Sequence, residues 1–279
     1  MINAYVSLDL GGTKIACALA DEGMEPIAET SVATESHLGA ESVLQRMTEL
    51  VESELAKTDA KAIGIGVGAP GLVDINKGHT RFLPNFPSQW RDVAVGPFLK
   101  ERIGCDVHLL NDARAATLGE LHFGVGREGA VTFAYFGLGT GVGGGVVVNR
   151  KLLLGPFGSA GELGHQTVLP NGPECGCGNR GCLEAVASGS AIAGRGVRLV
   201  KSGRATGLRD LVEGDLNRIN ASTMAQAAGQ GDEVVAKELD ELGGGRYCSG
   251  KCRDHFTSRS CCFGWWCLGT GASILRSGS

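Results

Sequence analysis

The sequence predicts an α/β protein built from one unit used twice, and two observations carry that reading. Glycine-rich turns occur at Asp9-Leu10-Gly11-Gly12-Thr13-Lys14 and at Gly137-Leu138-Gly139-Thr140-Gly141-Val142-Gly143-Gly144-Gly145. Each lies between apolar, β-branched runs: Tyr5–Leu10 and Ile15–Leu19 around the first, Val131–Phe136 and Val146–Val148 around the second. That is strand, turn, strand, written twice.

Taken in order, residues 1–20 read as a hairpin and Ala28–Ala33 as a third strand. Residues 41–56 read as a helix, because Val43, Leu44, Met47, Leu50, Val51 and Leu55 follow helical spacing, with Glu49, Glu52 and Glu54 on the other face. Ala62–Val67 is a buried strand that stops at Ala69-Pro70-Gly71. Val107–Leu110 is another, ending at Asn111-Asp112, and alanine-rich Ala113–Leu121 follows as a helix. A new glycine hairpin opens at residue 131, so the architecture repeats although the letters repeat weakly. Walker A loops and dinucleotide fingerprints open helices; here each turn continues as strand. The glycines are expected to give the backbone positive φ and to let a ligand approach its N–H groups. An ordinary hairpin accounts for one such turn; two at matching places favour a polyphosphate gripped from both sides.

The chain of 279 residues is long enough for two modest domains or one large one. Hydrophobic residues at 43% and charged residues at 20% suit a soluble globular protein. Its 45 glycines gather in turns rather than a repeat, which excludes collagen-like and low-complexity readings. A net charge of −4 without a basic cluster argues against a nucleic-acid partner. No membrane span and no signal peptide is expected, which places the protein in the cytoplasm with reduced thiols.

Asp112 follows an apolar strand and precedes a helix. It reads either as an N-cap or as a general base at the carboxyl end of a strand, where α/β sheets place ligands; the two are compatible. Such a carboxylate can take the proton of a substrate hydroxyl as that oxygen attacks phosphorus. Asp9 serves its own hairpin or holds Mg²⁺ through water; Lys14 faces solvent or neutralises phosphate. The strongest local signal is His165 with Cys175, Cys177 and Cys182. Three thiols and one imidazole match a tetrahedral, structural Zn²⁺ site with no open position. Glu162 and Glu184 are surface groups or ligands for sugar hydroxyls.

On DLGGTKIACAL, GVGAPGLVD, LPNF, LLNDARAATLGE, GLGTGVGGGVV, GSAGELGH and CGCGNRGCLEAVASG, in that order over residues 5–240, the chain resembles the ROK family of sugar kinases, repressors and related open reading frames. The resemblance implies a duplicated ribonuclease-H-like fold of the actin/hexokinase type, with an N-terminal lobe over 1–119, a C-terminal lobe with the zinc loop over 120–242, and an aberrant tail over 243–279. It implies ATP and Mg²⁺ between the lobes and phosphoryl transfer to a hexose substrate, with glucose first. N-acetylmannosamine, N-acetylglucosamine or fructose kinases, or a non-catalytic sugar-sensing regulator, are the alternatives, and ATP or polyphosphate is the donor. Asp112 becomes the catalytic base. Asn85, Asn111, Glu162, His165 and Glu184 contact the sugar; Asp9, Gly11, Gly12, Thr13, Lys14, Gly139, Thr140 and Gly141 face the phosphates; His165, Cys175, Cys177 and Cys182 hold zinc. His165 then serves the metal with one ring nitrogen and the sugar with the other. The first strand begins within five residues of Met1, so a repressor's DNA-binding domain ahead of it is not expected. A homo-oligomer, dimer or tetramer, is expected of the intact parent.

From Gly243 the character changes. Cys248, Cys252, Cys261, Cys262 and Cys267 crowd into a segment where the family calls for a long helix, a strand, a third glycine turn and closing helices, none of them expected here. A permitted back-translation of Arg246–His255, read one base later, gives GTAVGNAVI. A frame shift near 243–246 is therefore expected, and with it a chain whose activity and solubility are compromised by uncovered apolar surface.

Overall fold

The computed structural model describes residues 1–84, 86–156 and 158–243 and the backbone of 261–265. Asn85 and the segment holding the expected frame shift lie outside the described residues. The chain forms two compact units, Met1–Leu118 with Leu154–Ala160, and Gly119–Leu153 with the chain from Gly161 onward.

The first unit opens with β1 (Ile2–Leu10), β2 (Lys14–Ala20) and β3 (Pro26–Ala33), an antiparallel series. Helix α1 (Ala40–Lys57) returns the chain to β4 (Ala60–Ala69), which lies parallel to β1. The short hairpin β5 (Leu72–Asp74) and β6 (His79–Phe82) follows, then α2 (Val95–Ile103) and β7 (Val107–Asn111), parallel to β4. The sheet order is β3-β2-β1-β4-β7. Strict alternation buries Ala4, Val6, Leu8 and Leu10 of β1 with Ile65, Val67 and Ala69 of β4, and α1 and α2 contribute Val43, Met47, Val51, Val95 and Leu99 to the same core. Glu54, expected on the solvent face of α1, is 5% exposed and pairs with Lys57 at 2.7 Å. It stands three and four residues beyond Val51 and Leu50, on the buried stripe, so the correction follows from helical spacing.

Helix α3 (Asp112–His122) begins in the first unit and ends in the second. The second unit opens with β8 (Phe133–Leu138), β9 (Val142–Val148) and β10 (Lys151–Leu152), again antiparallel. Helices α4 (Leu183–Ala187), α5 (Gly189–Lys201), α6 (Thr206–Leu211), α7 (Ala221–Gly229) and α8 (Glu233–Gly243) follow. Their inner faces form a second core around Ile192, Leu199, Leu208, Met224 and Val235. Strand β11 (Cys261–Trp265) lies parallel to β8, Cys261 opposite Ala134 and Trp265 opposite Leu138. The order β10-β9-β8-β11 therefore repeats β3-β2-β1-β4 of the first unit, so the duplication holds at the level of strand pairing. It also corrects the expectation that the tail lacks the family's strand: Cys261–Trp265 is aromatic and small enough to join a sheet. No helix among the described residues is long and apolar enough to cross a membrane.

Candidate functional site

Strands β1, β4 and β7 run parallel, so their carboxyl ends share one edge of the first sheet. Asp9 stands opposite Gly68, and a Cβ on Gly68 would lie 3.6 Å from the Asp112 Cα. A bare glycine thus separates the two aspartates expected to act. Asp112 is exposed, and its Oδ1 accepts from the Ala113 N–H at 2.7 Å. The helix cap is instead Asn111, whose Oδ1 accepts from the Ala113 and Arg114 N–H groups at 3.1 and 3.3 Å. Asn111 is 7% exposed, and its Nδ2 donates to the Gly71 carbonyl at 3.0 Å, fastening the Ala69-Pro70-Gly71 turn to the same edge. Gly71 has φ +79°, and a Cβ there would strike the Phe82 carbonyl. Asp9 is open to solvent, yet nearby protein removes part of its hydration and pushes its carboxyl up from the usual range, with Lys14 pulling it back.

The first glycine turn is braced by a residue that sequence reasoning missed. Thr34, fully buried, donates its hydroxyl to the Gly11 carbonyl at 2.7 Å and its N–H to the Thr13 carbonyl at 2.9 Å. The second turn rests on the start of α5. Gly189 N–H donates to the Gly139 carbonyl at 2.8 Å, and Ser190 Oγ to the Thr140 carbonyl at 2.8 Å. The turns use the N–H groups of Gly11, Gly139 and Val142; those of Gly12, Thr13, Thr140 and Gly141 have no partner within the described residues. Thr13, Lys14, Gly139 and Thr140 are exposed.

Positive φ, expected of these glycines, is not what they supply: Gly11, Gly139 and Gly141 lie outside the left-handed region. Space is the reason for at least two of them. A Cβ on Gly11 would stand 2.8 Å from the Lys14 carbonyl, and one on Gly141 would collide with Glu184 Oε2.

His165, Cys175, Cys177 and Cys182 come together with their ligand atoms within 4.8 Å of one another. Cys175 Sγ lies 3.5 Å from His165 Nδ1, and Cys177 Sγ lies 3.7 Å from Cys182 Sγ. Zn–S and Zn–N bonds of about 2.3 and 2.0 Å in a tetrahedron separate two sulfurs by about 3.8 Å and sulfur from nitrogen by about 3.5 Å. The donor set and its spacing fit zinc. The loop closes with Gly178 at φ +89° and Gly181 at φ +67°, where left-handed backbone is required. Burial pushes the Cys175 thiol up to about 12, and Cys182 is raised for the same reason. Three thiolates this close are tenable only around a cation. Cys182 Sγ also accepts from Asn179 Nδ2 at 3.6 Å, a contact that orients this ligand.

Glu184 ties this cluster to the glycine turn. Its Oε2 accepts from the Val142 N–H at 2.9 Å while Oε1 lies 3.8 Å from Cys175 Sγ. Glu162 precedes the 3-10 turn Leu163–His165, and its carbonyl accepts from the His165 N–H at 3.1 Å. The structure thus brings together Asp9, Asn111 and Asp112 in the first unit. It brings together the metal cluster, Glu184 and the Gly139–Gly141 turn in the second.

The pattern of the ROK family matches residues 5–244. The chain is 41% identical over 241 residues to a glucokinase of Thermotoga maritima, covering 85% of this chain and 73% of the relative. It is 31% identical over 245 residues to a xylose repressor of Caldicellulosiruptor bescii, covering 86% of this chain and 60% of the relative. A crystal structure of a ROK family glucokinase from Streptomyces griseus, in complex with glucose and AMPPNP, is similar with a TM-score of 0.70 and 34% identity, over 86% of this chain and 75% of that one.

Proposed function

The chain belongs to the ROK family, and on that premise we propose that it is an ATP-dependent hexose kinase with glucose as its first substrate. The observation that carries this reading is the exposed Asp112 carboxylate at the carboxyl edge of the first sheet, beside the capping amide of Asn111. Asp112 accepts the proton of the sugar 6-hydroxyl while that oxygen bonds to the γ-phosphorus and the bond to the ADP oxygen breaks. The open N–H groups of Gly12, Thr13, Thr140 and Gly141, with Lys14, face the anionic phosphates. Asp9 is the residue that would hold Mg²⁺ through water, and the ion supplies neutralisation of the charge that develops on the phosphate oxygens.

Zinc, when bound by His165, Cys175, Cys177 and Cys182, supplies structural closure of the loop. His165 turns Nδ1 toward Cys175, which leaves Nε2 for a sugar hydroxyl. Asn111 has one amino hydrogen left for the sugar, and Glu162 and Glu184 complete the polyol contacts. Asn85 joins this set by resemblance alone. A cytoplasmic location and a homo-oligomer join this reading as expectations of the resemblance alone.

A second reading, a sugar-sensing regulator on the same fold, draws on the xylose repressor likeness. One experiment separates them. Purified full-length chain is incubated with ATP, Mg²⁺ and a panel of glucose, N-acetylmannosamine, N-acetylglucosamine and fructose, and sugar phosphate is measured. Product formed with glucose at the highest kcat/KM supports the first reading. Sugar binding without product, by calorimetry, supports the second.

A further inference from the structure

Arg114 stands inside the LLNDARAATLGE motif with no role assigned to it, yet it is one of the largest fully buried side chains, 1% exposed. Its position is unfavourable twice over. Burial strips a cation of its hydration, and the first turn of the 11-residue helix α3 carries the positive end of the helix dipole. A fan of oxygen acceptors offsets this. Nη1 donates to Asn111 Oδ1 at 2.8 Å, Nε to the Ala160 carbonyl at 3.1 Å and Nη2 to the Ser159 carbonyl at 3.3 Å. Only a planar, forked cation meets three acceptors set this way.

The acceptors are informative. Asn111 Oδ1 receives the Arg114 guanidinium together with the Ala113 and Arg114 N–H groups. This fixes which end of the amide is oxygen and directs the amino group toward Gly71. Ser159 and Ala160 close the segment Leu154–Ala160, which returns to the first unit and is followed at once by Gly161 and Glu162. One side chain therefore fixes the residue next to Asp112 and the point from which the Gly161–His165 run departs.

We propose that Arg114 is a positioning residue for hexose binding and turnover: it holds the Asn111 amide and the Ser159–Ala160 backbone in the arrangement the sugar meets. The inference rests on the kinase reading of Asn111, Asp112 and Glu162. The test compares Arg114→Lys, Arg114→Gln and the unchanged full-length chain by thermal unfolding, metal content, nucleotide affinity, hexose affinity and steady-state kinetics. Lys keeps the charge and loses the fork. Arg114→Lys is expected to keep its metal and its nucleotide affinity. Its hexose KM rises by about tenfold or more and its kcat falls by a similar factor, as expected for misplaced reacting groups. Added guanidinium ion restores part of the loss in Arg114→Gln. Unchanged hexose affinity and kcat in a folded Arg114→Lys overturn the proposal, as does a loss that tracks only the unfolded fraction. If the unchanged chain binds hexose without product, the kinase reading fails, and calorimetric hexose affinity in Arg114→Lys still decides the positioning role. A chain that binds no hexose overturns both.

Discussion

The two glycine turns share a sequence logic and are braced by different means. The first is held by its own sheet: Thr34, at the end of the neighbouring strand, fastens two of its carbonyls. The second is held from outside its sheet, by the start of α5 and by Glu184, whose other oxygen touches the metal cluster. The first brace therefore forms as soon as the sheet does. The second depends on a loop in which Cys175 and Cys182 are buried and their thiols raised, and whose donor set fits a metal ion. On the proposed reading the first unit carries the base and part of the grip on a frame its own sheet braces, and the second carries the rest of the grip on a frame braced beside the metal cluster.

The sharpest way to break the comparison is Asp112→Asn. Loss of the base is expected to lower kcat by about 10²–10⁴ with KM for hexose and nucleotide little changed, in a coupled assay. A parallel rise in both KM values with kcat kept would mean that Asp112 holds substrate rather than taking its proton. Next in size is metal removal. Cys177→Ser, or a strong chelator, is expected to lower hexose and nucleotide affinity together and to destabilise the second unit by several kcal/mol, on the order expected for structural zinc. Scanning calorimetry with parallel metal analysis reads this. The pH dependence has a definite sign: thiols raised above their ordinary range are protonated at neutral pH without the ion, so loading must expel protons. Metal affinity, by competition with a chromophoric chelator, should fall by about tenfold or more for each unit of decreasing pH.

Gly141→Ala comes third. The new methyl meets Glu184 Oε2, so the carboxylate must leave the Val142 N–H. Nucleotide KM is expected to rise by roughly tenfold, the cost of about one charge-assisted hydrogen bond. Hexose KM is expected to rise with it, since Glu184 is also proposed to meet the sugar; an unchanged hexose KM would remove Glu184 from the polyol contacts. The smallest effect is expected of Thr34→Val, which removes one buried hydroxyl bond and should cost about 1–2 kcal/mol in urea unfolding with kinetics near those of the unchanged chain.

Much of this was legible in the residues. Alternation and helical spacing are local, so β1, β2, α1, β4 and β7 follow directly from the apolar pattern. The metal cluster follows from ligand chemistry and glycine-rich spacing. What escaped were contacts set by tertiary neighbours. Nothing local marks Thr34 as the brace of a turn more than 20 residues earlier. Arg114 did carry a signal, since it stands on the same helical face as the buried Thr117 and Leu121, a stripe where a cation is out of place. Strand β11 had one as well. The letters Leu138-Gly139-Thr140-Gly141 recur as Leu268-Gly269-Thr270-Gly271, soon after the segment that pairs with β8. The role of the glycines was misjudged because sequence reveals a missing side chain but not whether φ or clearance demanded its absence.

The short return of Leu154–Ala160 to the first unit has a practical outcome. Neither half of this molecule is one uninterrupted stretch of gene. A truncation ending at Leu118 would leave the Arg114 guanidinium without the carbonyls of Ser159 and Ala160, and a fragment starting at Gly119 would carry those carbonyls with no cation to receive them. Two-piece reconstitution should therefore succeed only where segment 154–160, carried by the back piece, packs onto the front piece. The cut points for a split reporter or a circular permutant belong elsewhere, in surface turns such as Glu22-Gly23.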